Sequence, residues 1–151
     1  MEIEKIDRVV IHVKDLAKAE RLFSDLFSTT FDEYADHIMR GEVKRERVLT
    51  EYADPSFEER GLKVAHSPIG LELIETTPAV EKEGIRSIVL KVPDLEEAKA
   101  EMKRRGVRLL LEVKLGGLKE AIFHPDDLHG VRLCLAEYRT NTVIAAILQK
   151  L

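Results

Sequence analysis

The sequence predicts an α+β fold: two β-α-β-β-β modules that form a curved mixed sheet around one cavity, plus a C-terminal helix. Three observations predict it. First, Ile6-Asp7-Arg8-Val9-Val10-Ile11-His12-Val13-Lys14-Asp15-Leu16 is echoed 79 residues later by Ile85-Arg86-Ser87-Ile88-Val89-Leu90-Lys91-Val92-Pro93-Asp94-Leu95. Second, Leu71-Glu72-Leu73-Ile74-Glu75 is echoed by Leu133-Cys134-Leu135-Ala136-Glu137 at an offset of 62. Two landmarks in the same order point to a duplicated unit. Third, 151 residues with 44% hydrophobic and 34% charged side chains suit one compact domain rather than a disordered chain.

The shorter second offset implies about 17 extra residues in the first copy. The first module is expected at 1–76. Its first strand lies near 6–13. Asp15 caps a helix through about Phe27, with Leu16, Ala19, Leu22, Phe23, Leu26 and Phe27 at helical spacing. The stretch 32–60 is heavily charged, with a turn signal at Asp54-Pro55-Ser56, and reads as one strand plus an inserted loop or short helix. Strands at 62–66 and 70–75 read as a hairpin around Ser67-Pro68, and His66, just before the turn, is expected to be exposed. Residues 76–84 link the halves.

The second module is expected at 84–138. A strand at 86–92 precedes a helix from Asp94, whose Asp94-x-x-Glu97 spacing is a capping box. Gly106 suits the position just past the helix end. Strands follow near 107–113, 119–123 and 131–137. In 139–151, Val143, Ile144, Ile147, Leu148 and Leu151 follow helical spacing, with caps among Thr140 to Thr142. That stripe would close the chain's own sheet edge or pack on another subunit.

Side chains alternate across a strand. Val9, Ile11 and Val13 therefore share one face, opposite Arg8, Val10 and His12. The same parity opposes Ile88, Leu90 and Val92 to Ser87, Val89 and Lys91, and Leu71 and Leu73 to Glu72. It also opposes Val131, Leu133 and Leu135 to Arg132 and Cys134. The apolar faces are expected under the helices. The mixed faces are expected to curl into a shared cavity.

Other classes are disfavoured. The net charge is −4, against nucleic-acid or membrane-surface partners, which need concentrated positive charge. One cysteine, Cys134, allows no intrachain disulfide and suits a reducing cytoplasm. The N-terminus has no signal-peptide core, and no apolar run nears the ~18 residues of a membrane span. Tryptophan is absent and aromatics are 5%, against stacking on single strands.

The segments 7–16, 70–75, 84–98 and Phe123-His124-Pro125 through Gly130-Val131-Arg132-Leu133 resemble the vicinal oxygen chelate superfamily. This superfamily groups glyoxalases, bleomycin-resistance proteins, extradiol dioxygenases and methylmalonyl-CoA epimerases, and the likeness is greatest to the epimerases and glyoxalase-like relatives. It implies the paired-module fold and a homodimer. It also implies a divalent metal held from the first and last strand of each half, at positions that fall here on Arg8, Glu72, Ser87 and Cys134. Guanidinium stays protonated and offers no lone pair, so Arg8 cannot ligate. Ser87 is a weak ligand and Cys134 a soft one. We therefore expect no metal and no other cofactor.

Three functions remain open. The first is a binding protein for a small anionic molecule, with Arg8 as anchor and His12, Ser87, Lys91, Arg132 and Cys134 lining the site. The second is an epimerase, isomerase or lyase on an activated acid or thioester, with Glu72 as catalytic base and Arg8 stabilising the enolate. The third is an interaction module with a vestigial cavity. Whether the protein is an enzyme is left open by the sequence. Arg8 and Glu72 are expected to form a buried ion pair. His124 and His129 are expected to be structural.

Overall fold

In the computed structural model, residues 1–33, 41, 43–53 and 61–149 are described. The turn signal at Asp54-Pro55-Ser56, much of the inserted stretch, and Leu151 lie outside them. The strands are β1 (Lys5–His12), β2 (Asp32–Glu33), β3 (Arg45–Leu49), β4 (Gly61–Ser67), β5 (Leu71–Thr77), β6 (Gly84–Lys91), β7 (Leu109–Leu115), β8 (Leu118–Phe123) and β9 (Leu133–Glu137). The helices are α1 (Leu16–Phe27), α2 (Leu95–Arg104) and α3 (Val143–Ile147).

The strands form one mixed sheet in the order β2-β4-β5-β1-β6-β9-β8-β7-β3. The repeat is visible in its registers. Val9 pairs with Leu71 in the parallel β1–β5 ladder, and their counterparts Ile88 and Leu133 pair in β6–β9. The halves meet where β1 runs antiparallel to β6. The inserted residues of the first half supply β3. It crosses to pair with β7 and extends the second half's sheet.

The Asp-Leu steps have a physical cause. Asp15 accepts from the Lys18 amide and Asp94 from the Glu97 amide, each capping its helix at 3.0 Å. Glu75 then accepts from the Leu16 amide and Glu137 from the Leu95 amide, both at 2.8 Å. Two orphan donors per helix are thus satisfied, one locally and one from the last strand of the same half. Gly106, at φ +75°, ends α2.

Helix α1 lies over β4 and β5, and α2 over β8 and β9. On α1 only part of the apolar stripe packs inward. Leu16 is buried with Ala19 and Phe23 against it, while Leu22, Leu26 and Phe27 are exposed. α3 is shorter than its stripe suggested. It packs on its own chain: Ala146 and Ile147 are fully buried against cavity-side residues such as Val10, Val89 and Cys134. Its seat is the β7–β8 turn, where the Gly117 amide donates to the Ala146 carbonyl at 2.8 Å. At Gly116, φ +58°, an added Cβ would lie 2.1 Å from the Ile147 carbonyl oxygen.

Outside the positions of Asp7 and Arg86, side chains alternate as expected, but the expected burial is inverted on β1 and β6. Arg8, Val10 and His12 are buried, whereas Val9 and Ile11 are half-buried; Ser87 and Val89 are buried, whereas Ile88 is half-buried. The concave face is the deeper core because the barrel wall closes over it, while the helices leave the outer face of β1 and β6 open.

Candidate functional site

The concave face forms a cavity of about 90 Å³. Leu62, Ile74, Leu111, Val113, Leu115 and Ile122 give it apolar walls. Four arginines line it: Arg45 and Arg47 from β3, Arg86 from β6, and Arg132 just before β9. Glu72, Glu120, Ser87 and Cys134 complete its polar lining.

Two β-bulges shape the charges. The β1–β6 register slips at Asp7 and again at Arg86, positions that correspond under the repeat. A bulge adds a residue and re-aims its side chain. Asp7 thereby turns in beside Arg8, and Arg86 joins Ser87 on the cavity.

Below the cavity floor sits a buried ionic cluster. Arg8, 3% exposed, donates from Nε to Glu72 Oε1 at 2.8 Å, from Nη1 to Asp7 Oδ2 at 2.6 Å and from Nη2 to Glu120 Oε1 at 2.9 Å. The expected Arg8–Glu72 ion pair is therefore present, inside a larger set. The Cys134 thiol donates to Glu120 Oε2 at 2.8 Å, and the Tyr138 hydroxyl donates to Asp7. Burial opposes the charge on Arg8, but Glu120, then Glu72, hold its pKa well above the ordinary arginine value. Burial likewise pushes Glu72 upward, and Arg8 and His66 overcome it, leaving the carboxyl well below the usual carboxylate range. Burial and then Glu120 raise the Cys134 thiol, so it stays protonated and unreactive.

His66 is not exposed, as the sequence suggested. It is 3% exposed, and its Nε2 lies 2.6 Å from Glu72 Oε1. β4 continues to Ser67, and its register sets His66 directly opposite Glu72. His12 is buried and receives a hydrogen bond from Arg86 Nη1 at 2.7 Å on Nε2. Burial, then Arg86 and Arg132, lower its pKa from 6.5 to about 4. It is neutral at pH 7 and positions Arg86.

Of the sequence-derived candidates, Glu72, Ser87, Arg132 and Cys134 line the cavity. Arg8 lies beneath it and His12 behind Arg86. Lys91 does not join them: its ammonium rests 4.1 Å over the Tyr138 ring and 3.3 Å from Glu4. Arg45, Arg47, Arg86, Glu120, Asp7 and Tyr138 were missed. The alternation of Arg45 and Arg47 with Glu46 and Val48 was a signal for a strand with a cationic face. Nothing local signalled the bulges.

The residues at the four implied metal positions do not fit a divalent ion. Of these four only Glu72 is a carboxylate, and the Arg8 guanidinium lies on it at 2.8 Å with a fixed positive charge that repels a cation. Among the described residues, no three His, Cys, Asp or Glu side chains are grouped to hold a metal.

Residues 5–135 match the Glyoxalase/Bleomycin resistance protein/Dioxygenase superfamily, and the chain belongs to that family. Among solved structures it is similar to methylmalonyl-CoA epimerases. One from Streptomyces coelicolor, a variant in complex with 2-nitronate-propionyl-CoA, has 20% identity and a TM-score of 0.66, with 92% of this chain and 100% of that one covered. The Mycobacterium tuberculosis epimerase has 19% identity and a TM-score of 0.64, covering 95% and 93%. A hypothetical protein from Bacillus halodurans C-125 has 23% identity and a TM-score of 0.64, covering 91% and 96%. No curated protein matches the sequence. Identities this low establish the shared fold.

Proposed function

We propose that this protein binds a small oxyanion, a carboxylate or phosphate group, in the cavity between its two modules. One observation carries the reading: four arginines from both halves line a single small cavity whose walls are otherwise largely apolar. Guanidinium groups recognise oxyanions by paired hydrogen bonds, and desolvation by apolar walls strengthens them. The volume admits an anionic head group of a few atoms, far below the roughly 300–1,000 Å³ of drug-sized sites. Arg8 does not line the cavity, whereas Arg86 and Arg132 do, so the anchoring role falls to these two.

The epimerase, isomerase or lyase reading asks Glu72 to take a proton. Its Oε1 faces both Arg8 and His66, and its depressed pKa makes it a weak base near neutrality. Binding is the better supported reading.

We also propose a homodimer. Ile6 is 70% and Ile85 73% exposed on the outer face of β1 and β6, which lies between the two helices. Such a patch favours a partner surface. A cytoplasmic location remains our reading of the lone buried Cys134. No helix among the described residues is long and apolar enough to cross a membrane.

Calorimetric titration with inorganic phosphate, malonate and, as control, methylammonium tests the ligand class. We expect an anion to bind and Arg132→Gln to weaken it about tenfold or more, equivalent to ~1.4 kcal/mol. Equal affinity for methylammonium, or anion binding unchanged in Arg86→Gln and Arg132→Gln alike, would overturn the proposal.

A further inference from the structure

We infer that the Arg8 guanidinium, which occupies one of the four metal-ligand positions the resemblance implies, is the resident cation of a carboxylate cage that ties the two halves together. This does not rest on the anion reading.

The cage draws on both halves. Glu72 comes from β5 of the first, Glu120 from β8 of the second, and Asp7 from the bulge in β1 that joins them. Each faces a different nitrogen of one planar group, at 2.6–2.9 Å. Three donor directions fixed in a plane match three carboxylates, as a lysine's single charged head could not. The surrounding donors support the carboxylates rather than Arg8: His66 on Glu72, the Cys134 thiol on Glu120 and the Tyr138 hydroxyl on Asp7. Of the four implied metal positions, Arg8 supplies the cation and Glu72 a partner. Cys134 holds the partner Glu120, and Ser87 is left on the cavity wall.

The substitution changes what the site can do. A tethered guanidinium cannot dissociate, be chelated or lose its proton in the working pH range. It also offers no vacant coordination position to a ligand oxygen. The cage is then a fixed support, and ligand-facing charge belongs to the arginines on the cavity wall.

The test is chemical rescue. Arg8→Ala removes the cation and leaves three carboxylates around the space. Its melting temperature is measured in methylguanidinium, in Mn²⁺ and, as controls, in methylammonium and NaCl at matched ionic strength. We expect a much lowered melting temperature that low-millimolar methylguanidinium raises by several degrees, with no such rise in the wild type. An Arg8→Ala protein as stable as the wild type, or one raised no more by methylguanidinium and Mn²⁺ than by methylammonium, would sink the inference. If Arg8→Ala does not fold, Arg8→Lys decides: an intermediate melting temperature supports the cage, and wild-type stability overturns it. Elemental analysis of the dialysed wild type is an independent check. About one divalent ion per chain, lost in Glu72→Gln, would also overturn it.

Discussion

The two halves share a backbone plan and differ in charge. Under the repeat, Arg8 is matched by Ser87, Glu72 by Cys134 and His12 by Lys91. At the first two positions the first half carries an ion where the second is neutral, and at the third the order is reversed, with His12 neutral and Lys91 charged. The second half compensates from another strand, through Glu120 on β8. The backbone contacts did not diverge in the same way. The Val13 amide donates to the Ile74 carbonyl and the Val92 amide to the Ala136 carbonyl, both at 2.9 Å. Capping and the Glu75 and Glu137 contacts are likewise duplicated. The difference teaches that register and capping are held by each half separately, whereas the buried ionic cluster is assembled only from both.

The largest expected effect breaks that cluster. Arg8→Met strands the buried Glu72 and the half-buried Asp7 and Glu120 and should cost ~3–5 kcal/mol. Glu72→Leu should cost less, because Asp7 and Glu120 still face Arg8. In the double variant, Glu72→Leu should recover part of the Arg8→Met loss, and adding Glu120→Gln should recover more. Cys134→Ala, the same strand position in the other half, removes one hydrogen bond to Glu120 and should cost about 1 kcal/mol. Urea unfolding of the set reads all of these. Additive losses for Arg8→Met and Glu72→Leu would mean that the two groups do not interact.

How much of this was legible follows the same division. The repeat, the caps and the cavity-facing parity of Arg8, Glu72, Ser87 and Cys134 could be read because alternation and capping are local. Asp7 and Arg86 could not, because a bulge is a property of two paired strands and breaks parity. His66 was misread because the hairpin was ended one residue early; its register with Glu72 buries it. Arg45 and Arg47 showed a strand pattern, but its partner, β7, lies more than sixty residues away and no local signal selects it. The C-terminal stripe was read correctly as needing cover, and the cover proved to be the β7–β8 turn and the inner face of the sheet.

A smaller effect separates His12 from its counterpart Lys91. The folded-state pKa of His12 is about 4, below its ordinary 6.5, so the unfolded chain binds the extra proton between these values. Its neutral form is favoured in the fold. This stability is present above pH 6.5 and is lost as pH falls toward 4. Between pH 7 and pH 5 the wild type should lose roughly 1–2 kcal/mol through this group. Urea midpoints at half-unit pH steps check it. His12→Gln should flatten that part of the profile. A profile unchanged by His12→Gln would mean that the ring titrates as it does in water.

The smallest expected effect asks whether the halves are as alike in their caps as their geometry suggests. Asp15→Ala and Asp94→Ala each remove one side-chain acceptor from a helix start at the same 3.0 Å. Each should cost about 1 kcal/mol. The helices differ in the residue that follows. Lys18 stands at the third position of α1, while Glu97 in α2 puts negative charge at the positive end of the helix. Removing Asp94 therefore also relieves its repulsion with Glu96 and Glu97, whereas removing Asp15 loses its attraction to Lys18. The Asp15→Ala loss should exceed the Asp94→Ala loss by a few tenths of a kcal/mol at low salt, and the gap should close at high salt as the dipole term is screened. A gap that persists in high salt would assign the difference to packing of the two helices on their strands, and the halves would then differ in their cores as well as in their charges.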